Sequence, residues 1–248
     1  MSLGEHLVEL RRRLLIAAAA LVIGMVLGFI LSESIWDGLR TPIVEIAENH
    51  NAGINYTNIS EAFDLRLQIA FFTGLLLSAP VWLYQIWAFI VPGLTRRERA
   101  YSFGFFFAAV PLFFAGCAAG WWVWPHIVEV MVGFVPAEDS SLLSARYYFD
   151  FVLKLIFIVG IAFVLPVFLV LLNFVGILSA RAIIAGWRWA ILSITLFTAI
   201  ATPAADVFAM FILAIPMIAL YLAAWAVAAV HDKAVARRNN EIETEAAT

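Results

Sequence analysis

Residues 14–31 form 18 consecutive positions, from Leu14 to Leu31, without a single charged side chain. A helix needs about 20 apolar residues to cross roughly 30 Å of hydrocarbon, so this run reads as a membrane span. Similar runs follow at 69–91, 103–124, 151–175, 187–201 and 207–230. The fifth is the short one. Its apolar part, 189–201, reaches only about 20 Å as a helix, extended at one end by residues 186–189. Apolar residues make up 64% of the 248-residue chain and charged residues 13%, against about 45–50% and about 25% in soluble domains. That excludes a water-soluble globule and a disordered chain alike. The fold expected is an all-α integral membrane protein of six transmembrane helices occupying residues 1–231, followed by a polar, disordered tail at 232–248.

Arg11, Arg12 and Arg13 precede the first run in the manner of a signal-peptide n-region. The run is longer than the roughly 7–15 residues of an h-region, and no small-x-small cleavage site follows at 32–36, so a retained first span is expected. Six spans place both termini on one side. Eleven of the 15 Lys and Arg residues lie on that side, in the N-terminal arm, around 96–99, at 181 and 188, and at 233–238. The positive-inside rule then assigns both termini to the cytoplasm. Trp121, Trp122 and Trp124 fall at the outer end of the third run, where an interfacial aromatic belt is expected. Pro80, Pro111, Pro166 and Pro216 each sit inside a run. Each removes a helix hydrogen bond and favours a kink, which points to a bent, concave bundle.

The polar residues argue against several function classes. The net charge of −3 gives no basic surface for nucleic acid. Cys117 is the only cysteine, and no Cys or His cluster has the spacing of a metal site. HExxH, GxSxG, the P-loop and the dinucleotide fingerprint are all missing, so no enzymatic activity and no cofactor are expected. A small-molecule or ion carrier is the alternative reading. It would need ionisable groups near the bilayer midplane, and with the fifth run counted from its apolar part at 189, only Lys154, near the start of the fourth run, lies inside one.

The informative polar residues sit at the inner face. Leu3, Leu7, Leu10 and Leu14 share one helical face, so the N-terminal arm is expected as an amphipathic helix lying on the membrane before the first span. Glu9 lies on its polar face, four residues before Arg13, and an i,i+4 ion pair is its simplest role. Glu98 sits among Arg96, Arg97 and Arg99 in the turn after the second run, close to Trp87 and Phe89. Two loops thus present a carboxylate on one face, and a carboxylate is what a guanidinium ligand pairs with bidentately.

At these residues the chain resembles the TatC family, the multispanning receptor subunit of the twin-arginine protein translocase. The motifs are His6-Leu7-x-Glu9-Leu10-Arg11, Leu77-Ser78-Ala79-Pro80-Val81, Tyr84-Gln85-x-Trp87-Ala88-Phe89-Ile90-x-Pro92-Gly93-Leu94 followed by Glu98-Arg99, Thr202-Pro203 with Asp206-x-Phe208, and Leu213-Ala214-Ile215-Pro216-Met217. The resemblance runs from Gly4 to about Lys233. It implies a protein of the bacterial plasma membrane that binds paired-arginine signal peptides of folded precursors. By the family pattern, Glu9 and Glu98 are the arginine-binding carboxylates, with Arg11 and Phe89 in the same site. Pro42, expected in the first outer loop, together with Pro80 and Asp206 matches other positions the family relies on. Single-span partners of the TatA and TatB type and self-association are implied too, with export driven by the proton-motive force. Two positions depart from the family. Val164 stands where many relatives carry a span-four glutamate, and Met210 replaces a polar residue early in span six. Partner contact here is therefore expected to rest on packing at small residues such as Ala199, Ala201 and Ala209.

Overall fold

In the computed structural model of the protein, residues 3–50, 53–90, 96–133, 142–201 and 207–246 are described. Eight helices and two three-residue strands occupy them. The helices are α1 (Leu3–His50), α2 (Glu61–Leu77), α3 (Ala79–Ile90), α4 (Arg96–Val132), α5 (Ala145–Phe174), α6 (Ala180–Ala185), α7 (Trp187–Ala201) and α8 (Val207–Ala246). Strands β1 (Gly53–Asn55) and β2 (Leu142–Ser144) pair in parallel, with Ile54 opposite Leu143.

Four helical stretches are long and apolar enough to cross a membrane: Gly4–Pro42, Phe106–Val130, Ala145–Phe174 and Met210–Arg238. Helices α2 and α3 make up one further apolar unit, bent by 53°. The bend lies where Pro80 enters, next to the C-cap Ser78 of α2. A proline break frees carbonyls, and in hydrocarbon each needs a new donor. Here Leu75 O accepts from the Trp82 indole N–H at 3.0 Å and from the Ser78 hydroxyl at 3.3 Å. Pro111, Pro166 and Pro216 lie within continuous helices instead. Helix α7 spans 187–201, as the sequence predicts, and its 15 residues make it the shortest of the apolar units.

Helix α5 is the centre of the bundle. In its most apolar window 56% of residues are buried, against 11% in α1, whose surface is left for lipid to cover. The tightest helix pairs close on glycine. A Cβ at Gly74 of α2 would stand 2.5 Å from the backbone N of Met25 in α1, and one at Gly116 of α4 would stand 2.8 Å from Val159 O in α5. Contacts this close let backbones pack by dispersion where no hydrophobic effect separates helix from lipid. Val164 is buried in the core against which α4 and α8 also pack, and Met210 is half-buried at the start of α8. Among the described residues, an apolar groove of about 470 Å³ opens between α5, α6, α7 and α8, lined by Leu165, Pro166, Leu169, Ile194, Met217 and Tyr221.

Several expectations are corrected. The N-terminal arm is no separate surface helix, because α1 runs from Leu3 without a break through the first apolar run. Nothing between Leu10 and Leu14 breaks a helix, since leucine and arginine both favour it. The same helix extends to His50, so Pro42 lies inside α1 and not in a loop. Trp124 is fully buried, whereas Trp121 and Trp122 are exposed as a belt requires. The stretch 232–246 is the continuation of α8, not a disordered tail. It is rich in alanine, glutamate, lysine and arginine, all strong helix formers. Residues 202–206, and with them Asp206, lie outside the described residues.

Candidate functional site

The two ends of the bundle are polar in different ways. Contacts far apart in sequence tell the ends apart. At one end, the start of α5 meets the C-terminal half of α1, with the Tyr148 hydroxyl donating to Leu39 O at 2.8 Å. At the other, the first turns of α1 meet α3. The rings of His6 and Phe89 stack with centroids 4.4 Å apart and planes at 27°.

The α1–α3 end carries the sequence-predicted site. Glu9 and Arg13 form the expected i,i+4 pair. A single carboxylate oxygen, Oε1, accepts from Arg13 Nε at 3.1 Å and from Nη2 at 2.5 Å. The remaining guanidinium nitrogen, Nη1, reaches 3.4 Å to the side-chain carbonyl of Gln85 on α3. The side chains of Arg13 and Glu9 are only 22% and 19% exposed, so the pair is screened less than a surface pair. The other Glu9 oxygen, Oε2, is buried and has no hydrogen-bond partner among the described residues. Arg11 is exposed two residues away.

Thus Glu9 and Phe89 come together in one cluster, with His6, Arg13 and Gln85 completing it. Glu98 is the third residue of α4, and its side chain lies outside the described residues. Only five residues separate the end of α3 at Ile90 from the start of α4 at Arg96, and six extended steps span at most about 22 Å. Sequence reasoning gave Gln85 no role in the site, and 72 positions separate it from Arg13.

At the opposite end, Glu61 is a carboxylate of another kind. It is buried, eight residues ahead of the apolar run that begins at Ile69. Oε2 accepts from the backbone N–H groups of Thr57 at 2.5 Å and Asn58 at 3.2 Å. Oε1 accepts from the backbone N–H of Arg146 at 3.0 Å, an orphan donor in the first turn of α5. Burial alone pushes the Glu61 carboxyl pKa up, but these three donors and the Arg146 charge outweigh it and hold the group below its ordinary value. A polar cavity of about 260 Å³ lies beside it, lined by Asp64, Gln68, Arg146 and Asp150. Asp150 is satisfied there by Gln68 Nε2 at 2.8 Å and Lys154 Nζ at 2.6 Å, which gives Lys154 a partner at the end of the span.

A third carboxylate, Asp232 on α8, ties the loop between α5 and α6. Its Oδ1 accepts from Asn173 Nδ2 and its Oδ2 from Ala180 N, at 2.8 and 2.7 Å. Ala180 is the first residue of α6, so Asp232 supplies an acceptor at that helix N-terminus. Sequence reasoning missed Glu61 and Asp232 because most of their donors are backbone groups, which no motif marks. Among the described residues no cluster of three or more His, Cys, Asp or Glu side chains is placed to hold a metal.

The polar groups of the cluster are the Glu9 carboxylate, the Arg13 guanidinium and the Gln85 amide, beside the stacked rings of His6 and Phe89. Residues 5–216 match the profile of the family described as TatC, Sec-independent protein translocase protein. The chain belongs to the TatC family. It is 42% identical over 240 residues to the Sec-independent protein translocase protein TatC of Xylanimonas cellulosilytica, which covers 96% of this chain and 87% of that one. It is 34% identical over 231 residues to the chloroplastic TATC of Arabidopsis thaliana, covering 92% of this chain and 66% of the relative. A crystal structure of the twin-arginine translocase receptor TatC superimposes with a TM-score of 0.79 at 28% identity, covering 90% of this chain and 99% of the other. The relatives are named as protein translocase components, a role in transport and not in catalysis. With its apolar helices, this TatC-family chain is a multi-pass membrane protein of the Tat protein-translocation pathway.

Proposed function

We propose that this chain is the signal-peptide receptor of a bacterial twin-arginine translocase. It crosses the plasma membrane six times, with both termini in the cytoplasm, and binds paired-arginine signal peptides at the α1–α3 end. Glu9 and Glu98 each take a guanidinium, Phe89 and His6 form an apolar wall beside them, and Arg11 borders the site. The observation that carries this reading is Glu9 Oε2, a buried carboxylate oxygen with no partner among the described residues, next to an aromatic stack. A buried acceptor left unmatched costs stability unless a ligand completes it. The five-residue linker from α3 to α4 supports assigning Glu98 to the same end of the bundle as Glu9.

The apolar groove between α5, α6, α7 and α8 supports a scaffold role for single-span partners of the TatA and TatB type. With Val164 buried and Met210 half-buried, those contacts rest on shape and small residues, not on a membrane-embedded acid. The proton-motive force drives the passage. Pro42 and Pro80 shape α1 and the α2–α3 bend, and Asp206 contributes to the same activity.

Export of a twin-arginine reporter tests the site. Glu9→Ala and Glu98→Ala each block export while the protein stays at normal level in the membrane. Crosslinking probes at Glu9 and Glu98 capture the signal peptide, and a control probe at Glu138, in the sequence between the third and fourth apolar runs, does not. Normal export by both single variants rejects the site.

A further inference from the structure

Glu9 already holds a guanidinium. Arg13 places two N–H donors on Oε1 and extends its third nitrogen toward Gln85, leaving the buried Oε2 without a partner among the described residues. The geometry is side-on to one oxygen, not the fork that engages both, so Glu9 is half used. An incoming arginine finds a carboxylate with one oxygen already taken by a group identical to its own. Arg13 has somewhere to go, because the Gln85 carbonyl is already 3.4 Å from Nη1 and becomes its main acceptor once Glu9 lets go.

We infer that Arg13 is an internal occupant of the signal-peptide site. It is a displaceable stand-in for the ligand's arginine that moves from Glu9 to Gln85 when a peptide binds, and so sets the affinity of the receptor. This rests on the reading of Glu9 as an arginine-binding carboxylate. The consequence is quantitative. Binding of a cationic peptide is the new Glu9–guanidinium contact minus the broken Glu9–Arg13 contact. The subtracted quantity is the same for every peptide that engages Glu9, so Arg13 lowers all such affinities by one factor. It leaves their ratios alone. Discrimination between arginine and lysine comes from the fork geometry of the ligand itself.

A positioning role for Arg13 predicts the reverse. If Arg13 served only to orient Glu9, removing it would loosen the carboxylate and weaken binding. A mere excess of positive charge predicts something else again: the Arg13→Lys variant would bind as wild type does.

The test is equilibrium binding of two synthetic signal peptides, one with paired arginines and one with paired lysines, to the full chain in nanodiscs at fixed salt. The proteins are wild type, Arg13→Gln, Arg13→Lys and Glu9→Gln. Arg13→Gln is expected to tighten both peptides by about fivefold, the size of a partly buried ion pair. Arg13→Lys, which keeps the charge and loses the planar fork, tightens both by about twofold. The arginine-to-lysine ratio stays that of wild type in both variants. Unchanged or weaker binding by Arg13→Gln overturns the inference, as does wild-type affinity in Arg13→Lys. Glu9→Gln separates the two levels of the argument. Loss of binding in Glu9→Gln without tightening in the Arg13 variants refutes the stand-in role alone, whereas wild-type binding by Glu9→Gln refutes the site itself.

Discussion

Glu9 and Glu61 are both buried or nearly so, both belong to helices near an end of the bundle, and they have opposite fates. Glu61 uses both oxygens on three backbone N–H groups drawn from the turn before α2 and from the start of α5. Glu9 uses one oxygen, and its partner is a flexible side chain from its own helix. A carboxylate with both oxygens held by backbone donors has little capacity left for a ligand, and moving it would strip donors that nothing else satisfies. A carboxylate held by one mobile guanidinium can exchange that partner at modest cost. The difference separates a structural acid from a receptor acid by the kind of donor, where burial alone would class them together.

The comparison breaks most sharply at Glu61. Glu61→Ala leaves three donors without an acceptor and unties α5 from the β1–α2 turn. Its thermal midpoint in detergent is expected to fall by roughly 5–10 °C, the largest drop among the carboxylate variants. The same residue gives a pH signature. Its folded pKa lies below the ordinary 4.5, so its contribution is fully present above that value and is lost as pH falls through the lower folded pKa. Subtracting the Glu61→Gln melting curve from the wild-type curve should therefore give a difference that is flat above about pH 5 and shrinks toward acid pH. A difference that grows toward acid pH would mean that the three donors do not stabilise the ionised form.

Asp232 is the intermediate case. It has two donors, one from the backbone and one from a side chain, and its own side chain is 38% exposed. Asp232→Ala is expected to lower the midpoint by about 2–4 °C, less than Glu61→Ala and more than any change at Glu9. If it exceeds the Glu61 variant, donor count is not what ranks these acids.

How far the sequence reaches follows from the same distinction. Apolar runs marked the helices well, and the limits of α7 and the start of α8 coincide with the predicted ones. The Glu9–Arg13 pair was readable because i,i+4 neighbours meet on any helix. The ends of the other helices were not. Polar residues that stop an apolar run need not stop a helix, and α1 and α8 run on through 32–50 and 231–246. Trp124 was read as interfacial from its neighbours, yet packs at 5.8 Å against the Tyr148 ring in the core. The Gln85 and Phe89 contacts depend on α3 returning to α1 after the Pro80 bend. The roles of Glu61 and Asp232 depend largely on backbone donors that leave no trace in residue identity.

The smallest effect belongs to Glu9 itself, and it sharpens the comparison most. Glu9→Gln keeps an amide oxygen for Arg13 and removes a charge whose second oxygen no described residue satisfies. Partly exposed ion pairs contribute little, so the folding stability of this variant should change by less than about 1 kcal/mol, seen as a midpoint within a few degrees of wild type. Its affinity for a paired-arginine peptide should nonetheless collapse, because the neutral amide cannot receive a guanidinium fork. Stability retained with binding lost is the pattern of an acid kept for a ligand. If Glu9→Gln instead melted as early as Glu61→Ala, the ion pair with Arg13 would be part of the frame that holds α1 to α3, and the open oxygen would have to be explained without a peptide.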